Sequence, residues 1–572
     1  MSSNSEFSGV NRRTLYRSAK RVLRKSLSRR WTGSRESLER RIRAYLRDKD
    51  RGYLLRLVQR QAFAIAVAGS LLLGTALQAE VPIELLSVKG GTGGFVITDD
   101  VINNYSNSSS VSGAGDVNGD GLDDLIVAGG IGYTNVEQSF VVFGKASGAA
   151  VDLTEIASGT GGFSINRTGD TGGGGSVVSG AGDVNGDGLD DVIVSIDESN
   201  GTGPVCWVVF GKTSGTTVET SSIQSGTGGF VINGISDTTL YNVVVSGAGD
   251  VNGDGKDDLL IGSGNARANT NTSYVVFGKN TTTAVSLATV ASGTGGFAIN
   301  GIDSADLAGF SVSGAGDVNG DNKDDIIIGA VQADPGGLFL SGEAYVVFGK
   351  DDGDAVDLAT VADGTGGFAI NGALDYSGIA LAVSGAGDVN GDGLDDVMLN
   401  RSYFGAGVGV YVVFGKTSGT AVDVDDIESG IGGFAINRVG SRDQSGRSIS
   451  AAGDVNGDGF DDVLVGAAGN GSYGQDFAGQ TFLVFGKDDG DAVDLATVAD
   501  GTGGILIKGS EFYRGSGYSI SGAGDVNGDG LDDLIIGDLN YTQYNSESYV
   551  VFSPTPIPMS VGVVDDVTGL PV

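Results

Sequence analysis

The stretch Asp116-Val-Asn118-Gly-Asp120-Gly-Leu122-Asp-Asp124 decides how this chain of 572 residues has to be interpreted. It recurs with changes only at its sixth and seventh positions, and the copies begin at Asp116, Asp183, Asp250, Asp317, Asp388, Asp454 and Asp525. Seven copies at intervals of 66 to 71 residues indicate a repeat architecture, in which each repeat is one structural unit.

Each repeat contains four short apolar segments separated by clusters of glycine, asparagine and aspartate. In the fourth repeat these segments are Gly295–Asn300, Phe310–Gly316, Ile326–Gly329 and Ala344–Lys350. Short β-branched runs bounded by turn residues are typical of strands. Seven units of four strands predict an all-β protein, a seven-bladed β-propeller of four-stranded antiparallel blades, over residues 80–553.

The order of the segments also predicts how the ring of blades closes. A copy of the Gly-Gly-Phe segment, Gly93–Ile97, precedes the first loop, whereas the last repeat ends at Tyr549–Phe552 without one. We expect the early segment to complete the seventh blade. The phenylalanine that ends the last apolar segment of each repeat is interpreted as a packing residue between blades rather than a ligand contact: Phe143, Phe210, Phe277, Phe348, Phe414, Phe485 and Phe552.

The nine-residue loops have the composition of calcium sites. Oxygen-bearing side chains occupy positions 1, 3, 5 and 9, and calcium takes six to eight oxygen ligands, backbone carbonyls included. Glycine at position 6 permits the sharp turn, and Asn322, its replacement in the fourth loop, tolerates a left-handed conformation. The same residue types also form plain hairpin turns, and magnesium is the less favoured ion because it retains several waters.

We expect about seven structural Ca²⁺ ions, with the residue at position 7 contributing its carbonyl. The predicted ligands are Asp116, Asn118, Asp120, Leu122, Asp124, Asp183, Asn185, Asp187, Leu189, Asp191, Asp250, Asn252, Asp254, Lys256, Asp258, Asp317, Asn319, Asp321, Lys323, Asp325, Asp388, Asn390, Asp392, Leu394, Asp396, Asp454, Asn456, Asp458, Phe460, Asp462, Asp525, Asn527, Asp529, Leu531 and Asp533.

The N-terminus differs from the repeats in charge and composition. Residues 1–60 contain 18 Lys/Arg and 5 Asp/Glu and are predicted to form a basic, helical extended n-region. Residues 61–79 include the apolar run Ala62–Leu73, which is short for a bilayer span of about 20 residues and is followed by small residues, as in a secretory signal. A basic helix lying on a membrane and an uncleaved anchor are the alternatives. Export to the medium, the cell surface or a periplasm is the expectation.

Composition excludes several classes of function. The net charge is −36, and so acidic a body would be repelled by nucleic acid phosphates. The sequence has no histidine, which removes His-based triads and general bases, and we expect a protein that is not an enzyme. The single cysteine, Cys206, lies in an apolar run and is interpreted as a small buried side chain.

The repeats resemble the FG-GAP repeat of integrin α-subunit β-propellers across residues 81–553. The resemblance is carried by Ser-Val-Ser-Gly-Ala-Gly followed by the calcium loop, by Ile-Ile-Gly-Ala, and by Tyr-Val-Val-Phe-Gly. It implies calcium loops in the hairpins between the first and second strands, and ligand binding on the opposite face. The proline of the Gly-Ala-Pro element is missing from every copy, and neither an inserted ligand-binding domain nor a leg domain is seen, so a soluble bacterial-type relative is expected.

The function expected on this basis is adhesion or surface binding to a protein or glycan ligand by a monomer. Candidate ligand contacts are tyrosines in the variable loops of the face opposite the calcium loops: Tyr133, Tyr403, Tyr473, Tyr541 and Tyr544. Unselected surface loops are the alternative for these residues. A scaffold or binding part of a polysaccharide- or lipid-acting enzyme system and a purely structural envelope component are the alternatives for the function. The role of the tail, residues 554–572, is left open.

Overall fold

The structure is a computed structural model that describes the repeat region with short gaps. The described residues are 80–98, 110–131, 136–168, 177–196, 205–234, 243–263, 271–401, 408–440, 444–469, 478–510, 514–540 and 547–554. The predicted basic helix, the signal region and all but the first residue of the tail lie outside these ranges, so those boundaries stay predictions. No helix in the described ranges is long and apolar enough to cross a membrane.

The described elements are short strands and shorter helices that recur in the same order in every repeat. From the N-terminus to the third blade they are β1 (Ile83–Glu84), α1 (Leu85–Lys89), β2 (Gly94–Thr98), β3 (Val111–Gly115), β4 (Asp124–Ile131), β5 (Val136–Val142), β6 (Val151–Asp152), α2 (Leu153–Ala157), β7 (Gly162–Thr168), β8 (Val177–Gly182), β9 (Asp191–Ile196), β10 (Val205–Val209), β11 (Val218–Glu219), α3 (Thr220–Gln224), β12 (Gly229–Asn233), β13 (Val244–Gly249), β14 (Asp258–Gly262), β15 (Thr272–Val276), β16 (Val285–Ser286), α4 (Leu287–Val290) and β17 (Gly296–Asn300).

The remaining four repeats continue this order, with one 3₁₀ turn, Pro335–Gly337, in the fourth blade. They comprise β18 (Ala308–Gly316), β19 (Asp325–Ala330), β20 (Glu343–Val347), β21 (Val356–Asp357), α5 (Leu358–Ala362), β22 (Gly367–Asn371), β23 (Ile379–Gly387), β24 (Asp396–Arg401), β25 (Val408–Val413), β26 (Val422–Asp423), α6 (Val424–Glu428), β27 (Gly433–Asn437), β28 (Ile449–Gly453), β29 (Asp462–Ala467), β30 (Gln480–Val484), β31 (Val493–Asp494), α7 (Leu495–Ala499), β32 (Gly504–Lys508), β33 (Arg514–Gly524), β34 (Asp533–Asn540) and β35 (Glu547–Val551).

These strands form seven sheets, which are the seven blades of a β-propeller. In the fourth blade, β18, β19, β20 and β22 pair antiparallel in that order, and the other six blades repeat the pattern. The first strands of neighbouring blades contact one another around the whole ring, from β3 to β33 and back to β3, so they line its centre. The predicted all-β, seven-bladed propeller is confirmed.

The two ends of the repeat region close the ring as the order of segments predicts. Strand β2 pairs antiparallel with β35, with Phe95 opposite Val550, and so supplies the fourth strand of the seventh blade. Strand β1 pairs parallel with β32 of the sixth blade, with Ile83 opposite Ile507. The N-terminal segment therefore joins the sixth and seventh blades, and its strand β2 lies in the same sheet as the last strand, β35.

Each blade also has two elements that the sequence did not reveal. A two-residue strand from the following repeat pairs parallel with the outer edge of the blade, as β21 does with β17. A helix of four or five residues comes next, and it buries its first residue and an aliphatic residue three positions later, for example Leu358 and Val361. The two-residue strand covers the edge of the fourth strand, which would otherwise present unpaired backbone groups, and the helix packs in the hydrophobic cluster between the two blades.

The core lies between blades rather than within any one of them. Phe348 meets Phe368 of its own blade edge to face, with ring centroids 6.1 Å apart, and both pack in the cluster shared with the fifth blade. Lys416 of the fifth blade then places its ammonium 4.1 Å from the centre of the Phe368 ring. The recurring phenylalanines are thus packing residues, and a cation–π contact joins consecutive blades.

Replacing Phe95 tests whether the early segment closes the ring. The Phe95 side chain is fully buried against Phe552, so Phe95→Ala should lower the free energy of unfolding by about 3–5 kcal/mol. Leu86→Ala is the matched control, because Leu86 is 60% exposed in the adjacent helix α1. Denaturant unfolding of both variants measures the difference. Equal midpoints for the two variants would show that β2 does not hold the seventh blade.

Candidate metal sites

The seven nine-residue loops occupy equivalent hairpins and therefore lie at the same end of every blade. Loop 1 (Asp116–Asp124) joins β3 to β4, and the series runs to loop 7 (Asp525–Asp533), which joins β33 to β34. Positions 1 to 9 are counted from the first aspartate of each loop. Because the hairpins are equivalent, loop 1 describes the geometry of all seven unless a difference is stated.

The carboxylate at position 1 closes each loop around itself. In loop 1, Asp116 Oδ1 accepts the backbone N–H groups of Gly119 and Asp120 at 2.7 and 3.0 Å, and its Oδ2 accepts that of Gly121 at 2.9 Å. This wrapping needs a left-handed residue at position 6, where Gly121 has φ +88° and Asn322 of loop 4 has φ +65°. The conformation expected of Asn322 is thus observed.

The aspartate at position 9 is fully buried in every loop. The carboxylate of Asp124 accepts hydrogen bonds from neutral donors. The Asn118 amide nitrogen lies 3.1 Å from each of its oxygens, and the Gly144 N–H donates to Oδ1 at 2.8 Å. The Gly144 contact ties the loop to the residue pair that follows the third strand, and in the seventh blade the Ser553 N–H makes the same contact with Asp533 at 2.8 Å. The seven buried residues are Asp124, Asp191, Asp258, Asp325, Asp396, Asp462 and Asp533.

Burial changes the acidity of these groups. Loss of solvation raises the pKa to about 7 for Asp124, Asp258, Asp325 and Asp533, and the nearby carboxylates at positions 1 and 5 add to the rise. The same causes raise the pKa to about 8 for Asp191, Asp396 and Asp462. In the described ranges no Lys or Arg forms a salt bridge with a position-9 carboxylate.

The groups available at each loop suit a hard divalent cation. They are carboxylates at positions 1, 5 and 9, an amide at position 3 and a carbonyl at position 7, all of them oxygen donors. Within the described residues, however, no three acidic, histidine or cysteine side chains already stand together as a metal-holding cluster. The carboxylates at positions 1 and 5 face backbone N–H groups instead. The donor chemistry fits a cation, and the ligand set stays a prediction.

The aspartate at position 8 has a different role, which sequence reasoning missed. Asp190 of loop 2 accepts the backbone N–H of Asp116 in loop 1 through Oδ2 at 2.8 Å, and its own N–H donates to the Asp116 carbonyl at 3.2 Å. The same carboxylate contact, at 2.7 to 2.9 Å, recurs around the ring in Asp116–Asp190, Asp183–Asp257, Asp250–Asp324, Asp317–Asp395, Asp388–Asp461, Asp454–Asp532 and Asp525–Asp123.

The side chain at position 7 also reaches the preceding loop. A Cβ built on Gly119 would lie 2.7 Å from Leu189 Cδ2, and one on Gly391 would lie 2.8 Å from the Phe460 ring. The residue at position 7 therefore also packs against the preceding loop, although its side chain varies. In loop 3 it is Lys256, whose ammonium lies 3.1 Å from Asp254 Oδ1 at position 5.

The five tyrosines predicted to lie on the opposite face are all outside the described residues. The described part of the face contains an aromatic pair that sequence reasoning missed, formed by Phe339 and Tyr376 with ring centroids 5.3 Å apart. Phe339, Leu374 and Tyr376 are 51, 52 and 68% exposed, and we call these three residues the blade 4 patch.

The backbone around the blade 4 patch is strained and well bonded. Leu340 and Tyr376 have φ of +50° and +59°, a region that non-glycine residues seldom occupy. The Tyr376 N–H donates to the Phe339 carbonyl at 2.8 Å, and the Phe339 N–H donates to Asp375 Oδ1 at 2.8 Å. These bonds hold two apolar rings in solvent, where burial would otherwise be favourable.

The FG-GAP repeat family matches this chain at residues 243–276, 445–484 and 516–551. These ranges hold most of the first three strands of the third, sixth and seventh blades, together with their nine-residue loops.

Curated relatives are integrin α chains. Integrin alpha pat-2 of Caenorhabditis briggsae is 29% identical over 41% of this chain and 18% of its own length. Integrin alpha-PS2 of Drosophila melanogaster is 27% identical over 42% of this chain and 16% of its own, and human integrin alpha-7 is 30% identical over 32% and 13%. The chain thus matches less than a fifth of the length of each of these relatives.

Two glycine substitutions separate the inter-blade contact from ordinary backbone strain. Gly115 and Gly121 both have positive φ, but a Cβ on Gly115 would lie 2.1 Å from Asp190 Oδ2, whereas one on Gly121 meets nothing within 4 Å. With chelator present, Gly121→Ala should cost about 1–2 kcal/mol of unfolding free energy, and Gly115→Ala about 1–3 kcal/mol more. Denaturant unfolding measures both. An equal loss of unfolding free energy in the two variants would mean that Asp190 is not packed against Gly115 of the first blade.

Proposed function

We propose, from the premise that this chain carries a seven-bladed, integrin α-like propeller of FG-GAP repeats, that it is a calcium-stabilised binding protein of the adhesion type. It binds a protein or glycan ligand, catalyses no reaction and acts outside the cytoplasm as a monomer. The observation that carries the proposal is the division between its faces. One face repeats the same loop seven times, whereas the other differs from blade to blade.

About seven Ca²⁺ ions are proposed to be structural, one in each loop. The residues that would hold the ion in loop 1 are Asp116, Asn118, Asp120 and Asp124 through side-chain oxygens and Leu122 through its carbonyl, and the other loops use the equivalent residues. Calcium would neutralise the buried position-9 carboxylate, which has only neutral hydrogen-bond donors in the described contacts. Oxygen ligands from five protein residues in each loop suit calcium better than magnesium, which retains more waters.

The ligand is proposed to bind on the face opposite these loops. The blade 4 patch supports this assignment, because exposed aromatic rings held by a strained backbone are typical of binding surfaces rather than of plain loops. Tyr133, Tyr403, Tyr473, Tyr541 and Tyr544 stay candidate contacts in the variable loops of the same face. Export is proposed from the apolar run in residues 61–79, and a nucleic acid partner is not expected for a body with net charge −36.

Removal of calcium should destabilise the propeller strongly. A site with Kd of about 0.1 mM gains about 1.4 kcal/mol at millimolar calcium, so seven independent sites would contribute about 10 kcal/mol. Thermal unfolding of the full chain should therefore move to a much lower temperature in excess chelator and recover when calcium is restored. Magnesium at the same concentration is the control and should restore little. Unchanged unfolding in chelator would contradict the structural role of calcium.

Changes in the blade 4 patch should remove ligand binding without affecting stability. Tyr376→Asn keeps a residue that tolerates positive φ, and Phe339→Ser removes the second ring. Binding to an array of glycans and immobilised extracellular matrix proteins, with calcium present, should fall at least tenfold in the double variant. Ile431→Ser is the control, since Ile431 is 61% exposed beside the fourth strand of another blade. Equal binding by the variants and the native chain would exclude the patch from the ligand site.

A further inference from the structure

The position-8 aspartates connect the seven loops into one closed ring. Asp190 holds the backbone of Asp116 in loop 1 by two hydrogen bonds, at 2.8 and 3.2 Å. Its neighbour in sequence, Asp191, is the buried carboxylate of loop 2. A single residue therefore stands between the groups proposed to hold calcium in two neighbouring blades.

A second contact reinforces the connection. Leu189, at position 7 of loop 2, lies against Gly119 at position 4 of loop 1. Consecutive residues of one loop thus fix positions 1 and 4 of the loop before it. The carbonyl of Leu189 and the carboxylate of Asp191 belong to the predicted ligand set of loop 2, so binding there would act directly on the segment that holds loop 1.

The contact leaves little space in which the two loops could move separately. A Cβ at the glycine before position 1 would come within 2.1 to 2.2 Å of the partner aspartate in all seven copies. Close-packed groups of this kind transmit displacement rather than absorb it. The ring is also continuous, because Asp123 of loop 1 accepts the N–H of Asp525 in loop 7 at 2.7 Å.

We propose that the position-8 aspartates are positioning residues that couple the loops, so that calcium bound in one loop raises the calcium affinity of the loops on either side. The inference rests on the proposed function, in which the loops bind calcium. Calcium in loop 2 orders positions 7 to 9, and these residues then hold positions 1 and 4 of loop 1 in place. Loop 1 consequently loses less conformational freedom when its own ion binds.

Hydrogen–deuterium exchange of the full chain over a series of calcium concentrations tests the coupling. Peptides covering the seven loops give one calcium midpoint for each loop. Asp187→Ala removes a predicted ligand of loop 2, and its described hydrogen bonds lie within that loop. It should abolish the response of loop 2 and raise the midpoints of loops 1 and 3 about fivefold or more, with loop 5 unchanged.

Two variants of Asp190 then assign the coupling to the position-8 carboxylate. Asp190→Ala should raise the midpoint of loop 1, and adding Asp187→Ala to it should raise that midpoint no further. Asp190→Asn is the matched control, because its amide oxygen can still accept the Asp116 N–H, and its loop 1 midpoint should stay close to the native value. Should Asp190→Ala fail to fold, Asp187→Ala alone decides whether the loops are coupled.

The possible results separate this inference from the proposed function. If Asp187→Ala silences loop 2 and leaves the midpoints of loops 1 and 3 unchanged, the loops bind calcium independently and the coupling is wrong. If no loop of the native chain changes its exchange with calcium, the proposed function fails, and the coupling fails with it. If Asp187→Ala raises the calcium midpoints of loops 1 and 3 and leaves that of loop 5 unchanged, the result supports the coupling.

Discussion

A carboxylate taken out of water has to exchange its hydration for hydrogen bonds or for a cation, and every blade of this propeller contains such a group. The position-9 aspartates are fully buried at the start of the second strand. Each draws an amide from its own loop and a backbone N–H from the end of the third strand, as Asp124 does with Asn118 and Gly144. The hairpin, the loop and the third strand thus meet at one buried carboxyl group, and the shape of the blade depends on it.

The aspartate at position 8 also accepts a backbone hydrogen bond, but from the neighbouring blade. The position-8 carboxylate accepts a backbone N–H from the neighbouring loop, and seven such contacts complete a circle. Of the two consecutive aspartates, the one at position 9 therefore forms hydrogen bonds within its own blade, and the one at position 8 forms them with the neighbouring blade. The acidity of the chain follows from this construction, since four of the nine loop positions are aspartate in every copy. A cation in each loop would relieve the repulsion among these carboxylates and leave the opposite face free to vary.

The fold could be predicted from the sequence because its determinants are local and repeated. Strand lengths, loop spacing and the early Gly93–Ile97 segment were sufficient for the number of blades and for ring closure. The edge strands and helices such as α5 were missed because two and five residues are too short to show a periodicity. The loop composition indicated a cation site, but it could not show that position 8 faces another blade, since Asp190 and Asp116 lie 74 residues apart.

The blade 4 patch was beyond sequence reasoning for a related reason. Phe339 and Tyr376 come from two separate connections, and only the folded blade brings their rings together. The loops at Asp317 and Asp388 are 71 residues apart, as are those at Asp454 and Asp525, and this spacing alone does not show what surface the connections form. Repetition therefore made the constant face predictable, whereas the variable face required the structure.

A crystal structure of the chain in millimolar calcium, with anomalous scattering used to locate the ions, tests the central claim most directly. The account predicts seven ions, one in each loop, bound by oxygens from positions 1, 3, 5, 7 and 9, with each position-8 carboxylate still bonded to the preceding loop. Loops without an ion, or ions held by the position-8 aspartates, would contradict it.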